Sequence, residues 1–219
     1  MPSLSDYARG GADFLRRSVY GEPDDPTKLV VTKSQLSTAL VECEMSYKTF
    51  QGMPVPYVRE SRLLVRGNAE ARLSIMHNGD RWVTFRGTEV TSPQDIQTVL
   101  GATFVNLELG LGIPPRMEKM PPEMQGIVHL SFAKYVALLY PDIVRFIDEG
   151  GGNSNVYLCG HSLGGVAASI FAVRYFISTG KKPTRIITFG APKGIEMFGT
   201  FYDDTFDHIN VLNNKDFIT

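Results

Sequence analysis

The sequence predicts an α/β fold with a mostly parallel central sheet and flanking helices. Three observations carry this. The last third of the 219 residues alternates strand, helix and strand with short links, a pattern that requires crossover helices over a parallel sheet. Residues 71–87, "ARLSIMHNGDRWVTFRG", place alternating apolar residues either side of Asn78-Gly79, the signature of a tight hairpin. A serine between glycines, in "YLCGHSLGG", stands directly between a strand pattern and a helix pattern.

The elements follow in order. Residues 1–27 are polar and broken by Gly10-Gly11, Pro23 and Pro26, and read as a loosely attached arm; the domain proper is 28–219. From a capping Ser34, Leu36, Leu40, Val41, Met45 and Tyr47 recur at helical spacing. The hairpin carries Leu73, Ile75, Val83 and Phe85 on one face. Residues 88–127 hold five prolines and two apolar clusters, the composition of a lid or surface excursion. Phe132, Val136, Leu139, Ile143 and Ile147 then define an amphipathic helix, which Pro141 should bend or restart and Gly150–Gly152 should end. Val156–Cys159 is a strand, Leu163 to Thr179 an apolar helix closed by Gly180, and "RIITFG" and "HINVLN" two further strands.

Apolar residues at 43% and charged residues at 21% suit a globular domain, and a net charge of −1 offers no basic face for nucleic acid. The pair Lys181-Lys182 is a solvated turn. No signal-peptide pattern opens the chain and no apolar run approaches a membrane span, so a cytoplasmic location is expected. Cys43 and Cys159 read as small buried hydrophobes, not as a staple. No Cys/His cluster has metal-ligand spacing and no glycine-rich loop suits phosphate, so neither metal nor cofactor is expected.

Gly160-His161-Ser162-Leu163-Gly164 fits G-x-S-x-G. So sharp a turn from strand to helix strains the central residue and leaves no room for flanking side chains, while lifting the hydroxyl over the carboxyl edge of the sheet. Acyl transfer by such a serine needs a base and oxyanion donors. The N–H of Leu163 is one donor, and Thr88, at the end of "FRGTE", could supply another.

"VTFRGT", "VHLSF", "VYLCGHSLGG", "TFGAPKG" and "NVLNNKD", in this order, resemble the fungal-type (class 3) lipase family of α/β-hydrolases from about Leu36 onward. The resemblance implies Ser162 as nucleophile, Thr88 in the oxyanion hole and Asp216 orienting a histidine. His161 and His129 would support the elbow, and a mobile lid would run from about 89 to 107. It also implies a lipid or small ester substrate, with transient lipid-surface contact through that lid. Ser131 departs from the family's usual glycine. The family's catalytic histidine follows the aspartate by several dozen residues, whereas these residues end at Thr219; the C-terminal part of the fold is then expected to lie beyond it, or the triad to have been lost.

None of the four histidines replaces it. His77 abuts the hairpin turn, His129 precedes a helix, and the side chains of His161 and Ser162 diverge at the elbow. The extended chain from His208 to Asp216 spans about 25 Å at roughly 3.3 Å per residue, far beyond a base's reach. Asp203, Asp204 and Asp207 read as loop charges and Asp95 as a helix cap. A serine ester hydrolase is the first reading, and a lipase-like pseudoenzyme that binds lipid or a protein partner is the alternative. An acyltransferase or thioesterase would share every motif. Oligomeric state is not encoded in these patterns.

Overall fold

The computed structural model describes residues 31–47, 55–87, 103–112, 121–152 and 154–212. Six strands form the main sheet in the order β1 (Val58–Arg66), β2 (Ala69–Met76), β3 (Arg81–Phe85), β6 (Val156–His161), β7 (Arg185–Phe189) and β9 (His208–Val211). The first three pair antiparallel, and from β3 onward every pairing is parallel. A second antiparallel sheet joins β4 (Phe104–Asn106), β5 (Gly126–His129) and β8 (Ile195–Met197).

Side-chain alternation divides the core into two layers. Leu73, Val83, Phe85, Leu158 and Ile186 face α3 (Leu130–Asp148) and α4 (Leu163–Thr179). Trp82, Tyr157, Cys159, Ile187 and Phe189 face α1 (Lys33–Met45). Two short helices, α2 (Leu107–Leu111) and α5 (Phe201–Thr205), flank this frame. No helix among the described residues is long and apolar enough to cross a membrane.

The hairpin forms as read, with Gly79 at φ 89°. All five apolar residues of the α3 stripe are buried. That helix runs as one element through Pro141 and is not restarted there. Gly180 closes α4 at φ 72°, where a side chain would be strained.

Other expectations change. The cap of α1 is Thr32, whose side chain accepts from Gln35 N–H in a reciprocal capping box, so the helix starts before Ser34. Leu36 is buried as expected, together with Ala39, Glu42 and Cys43, whereas Leu40, Val41, Met45 and Tyr47 are only partly buried. The small side chains let the helix approach the sheet, and Glu42 is tolerated because Arg72 and Ser74 meet it there. Strand β1 is hard to see in the sequence because "VRESRLLVR" is dominated by charge; only Leu64 of its residues is buried. Asp203 and Asp204 stand in the first turn of α5, where acids suit the helix dipole. Asp207 is no loose charge: its Oδ2 accepts from Arg185 Nε at 2.6 Å. Both cysteines are free and buried, and burial pushes the Cys43 thiol well up.

Candidate active site

Where β6 passes into α4 the backbone is strained. Ser162 adopts φ 53°, ψ −123°, and it is the one non-glycine residue at positive φ among those described. Such a conformation costs on the order of 1–3 kcal/mol and persists only where its surroundings enforce it. They do so by contact. A Cβ on Gly160 would lie 2.3 Å from the Gly164 carbonyl carbon, and one on Gly164 would lie 2.2 Å from the Phe85 carbonyl oxygen. A Cβ on Gly165 would strike that of Ala191 at 2.6 Å. The N–H of Ser162 donates to the Phe189 carbonyl at 2.8 Å. The first intrahelical bonds run from Gly165 and Val166 N–H to the Ser162 carbonyl. The N–H groups of Leu163 and Gly164 precede them, at the positive end of α4.

The sequence leads us to expect a raised and accessible serine. The elbow is at the carboxyl edge, but Ser162 is only 3% exposed. The strand end at Phe85–Gly87 packs against Gly164 on one side, and the Phe189–Ala191 segment closes the other.

Strand β3 delivers its end to the elbow and is held there. A Cβ on Gly87 would come within 2.7 Å of both the His161 carbonyl oxygen and the Tyr47 hydroxyl. The same hydroxyl meets His161 Nδ1 at 3.0 Å, so this ring nitrogen is engaged by the residue just beyond the C-terminal end of α1. Arg86 pairs with Glu70. The Tyr135 hydroxyl accepts from Glu70 N–H and donates to the Glu70 carbonyl at 2.6 Å; burial raises its pKa to about 12, so it stays a donor. Nothing in the sequence marks Tyr47, Glu70 or Tyr135 as site residues. Tyr47 falls in an apolar stripe, yet its polar end is what the site uses. Thr88 and Asp216 lie outside the described residues, as do the arm, Asp95 and the lid segment up to residue 102. Residues 104–107 are strand β4 and the first residue of α2.

The profile of one family, Lipase (class 3), matches residues 82–219, more than half of the chain. The chain belongs to the class 3 lipase family. Its fold is shared with solved fungal lipases at low identity. A Rhizomucor miehei lipase propeptide complex aligns at 15% identity and TM-score 0.61, covering 86% of this chain and 62% of that one. Lip2 lipase from Yarrowia lipolytica aligns at 16% and 0.58, covering 85% and 71%. The MDLA N225Q mutant from Penicillium cyclopium aligns at 16% and 0.56, covering 82% and 71%. The chain thus spans less than two thirds of the length of the first of these lipases, and the fold is that of the α/β-hydrolases. No curated protein matches the chain by sequence.

Within this class 3 lipase frame, two of the remaining histidines are engaged elsewhere. His77 is exposed beside the hairpin turn. His129, fully buried, caps α3 with its ring 4.8 Å from that of Phe132 and 5.5 Å from that of Phe104. His208 opens β9 between two hydroxyls, Tyr202 at Nδ1 and Thr188 at Nε2, each 2.9 Å away.

The direction of that chain of bonds follows from Asn210. Its Nδ2 donates to the Ala191 carbonyl at 2.9 Å and its Oδ1 accepts from Ala191 N–H at 3.2 Å. Oδ1 is therefore an acceptor, Thr188 must donate to it at 3.0 Å, and Thr188 can only accept from His208 Nε2–H. Tyr202 then donates to Nδ1. His208 is locked neutral, and burial lowers its pKa from 6.5 to about 4. Asn210 meanwhile clamps the loop whose Ala191 abuts Gly165. A crevice of about 520 Å³ runs beside α4 between Ser169, Ala191, Gly194, Tyr202 and Asn210.

This has a measurable result. The unfolded chain protonates His208 below 6.5 and the folded one only near 4. The contribution is complete above 6.5 and is lost as pH falls toward 4, by on the order of 3 kcal/mol at the limit. Urea unfolding at pH 7 and pH 5 should show this fall in the wild type and a shallower one in His208→Gln; equal slopes would mean the ring is not buried in its neutral form.

Proposed function

We propose that this chain forms the nucleophile-bearing core of a serine ester hydrolase acting on lipid or small acyl esters. The observation that supports this best is the strained backbone of Ser162, φ 53° between colliding glycine positions. In this reading Ser162 Oγ attacks the ester carbonyl while its proton passes to a base. The N–H groups of Leu163 and Thr88 hold the oxyanion, the alcohol departs, and water releases the acyl group. Asp216 orients the basic histidine. Gly160 and Gly164 permit the turn, His161 braces it through Tyr47, and His129 fixes the start of α3.

In this reading the base is not one of these four histidines: His77 is exposed at the hairpin turn, and His129, His161 and His208 are held by ring or hydroxyl partners. Loss of the base costs about a million-fold in triad enzymes, and the oxyanion hole alone leaves roughly 10³–10⁴ over water. Those engagements favour a second reading as well, a lipid- or protein-binding relative with little turnover.

A fluorophosphonate probe and a p-nitrophenyl ester assay separate the two. Hydrolysis and labelling at Ser162, both abolished in Ser162→Ala, are the expected result for an enzyme. Absence of labelling and of turnover in the wild type would overturn the hydrolase reading.

A further inference from the structure

We propose that two copies of this chain associate through β1, antiparallel and centred on Leu63, so that the six-stranded sheet continues across a two-fold axis. Strand β1 ends the sheet and pairs only with β2 among the described residues. Its outer backbone edge is therefore a ready template for another strand. Five consecutive residues, Arg59 to Leu63, are exposed. Leu63 and Val65, at 40% and 44% exposure, lie on the sheet face where β2 presents Arg72 and Glu70.

Charged residues on an edge strand ordinarily prevent such pairing. Here they select a register. A two-fold axis normal to the sheet keeps each side chain on its own face, so only shifts that preserve the alternation are allowed. With Leu63 opposite Leu63, Glu60 of each copy faces Arg66 of the other, Ser61 faces Val65, and Arg62 faces Leu64. The neighbouring allowed registers oppose Arg62 to itself or to Arg66, and like charges directly opposite are unfavourable. A register centred on Ser61 would match Glu60 with Arg62. It would, however, have to cross the irregularity between Val58 and Glu60, and it leaves Val65 outside the ladder.

Glu60 is the open half of this match. It makes no ion pair among the described residues, while Arg66 already holds Asp142 at 2.8 Å and would receive a second carboxylate. The occupant that fits the edge is thus the same edge of a second copy, because reversal sets each Glu60 against an Arg66, while Arg62, the other cation on that face, already has Glu149 as its partner.

Sedimentation equilibrium of the whole chain at about 100 µM, which populates any dimer with a Kd of about 100 µM or tighter, should show a reversible dimer. Glu60→Arg and Arg66→Glu should each weaken it at least about tenfold, since each sets like charges opposite. Mixing the two variants should restore it, because in the mixed dimer both contacts between positions 60 and 66 again join opposite charges. A monomeric wild type at that concentration, variants that still dimerise alone, or a mixture that fails to recover would each overturn the proposal.

Discussion

Gly164→Ala is expected to destabilise the fold severely. The added methyl would lie 2.2 Å from the Phe85 carbonyl oxygen, 2.9 Å from Gly87 N and 3.0 Å from the Arg86 carbonyl carbon, all backbone atoms. Overpacking a core by a methylene usually costs about 1–3 kcal/mol when side chains can shift. Here no flexible atom can give way, because β3 and α4 must separate instead, so the loss should exceed about 3 kcal/mol, a large part of a typical domain's 5–15. Gly151 supplies the contrast: its φ is 68° and nothing lies within 4 Å of where an added methyl would sit, so Gly151→Ala should cost only about 1–2 kcal/mol of left-handed strain. Urea melts of both variants decide the matter. Similar midpoints would show that the strand end does not press on the elbow helix.

Glu42→Ala should cost about 3–5 kcal/mol. The carboxylate is fully buried, and its Oε2 accepts from Ser74 Oγ at 2.6 Å and Arg72 Nε at 3.2 Å. Burial raises its pKa even against those two partners. The desolvation of the charge therefore exceeds what Ser74 and Arg72 return, and the pair adds little net stability over an apolar filling. Removing only the acid is different. Arg72, 8% exposed, would keep its charge with no counter-ion. The double variant Glu42→Leu, Arg72→Met should recover most of the loss. Chemical denaturation of the two single variants and the double variant gives the coupling; a Glu42→Ala protein as stable as the wild type would mean water reaches the site.

Much of the frame is legible in the sequence because its signals are local. Asn78-Gly79 fixes a turn by its own conformational freedom, and the α3 stripe repeats within a single helix. The elbow is encoded by glycines that are contiguous in sequence, although their reasons are not: Gly164 is small because of Phe85, and Gly165 because of Ala191. What stays hidden depends on distant partners. Glu42 looks like a solvent residue until Arg72 is brought beneath it. Strand β1 carries too much charge to show period two. Tyr47 reads as apolar because its hydroxyl's partner, His161, lies far along the chain. Asn210 sits in an ordinary strand pattern, and nothing near it reveals that it grips Ala191.

The hydrogen bond from Ser162 to the Phe189 carbonyl carries a consequence for biogenesis. The carbonyl that pins the serine belongs to a strand synthesised after the whole of α4. A growing polypeptide can thus complete the helix behind the serine, with Gly164 already against Phe85, before the last of the serine's backbone partners exists. The backbone pose at this position is therefore completed late, by docking of a strand that the turn itself does not contain.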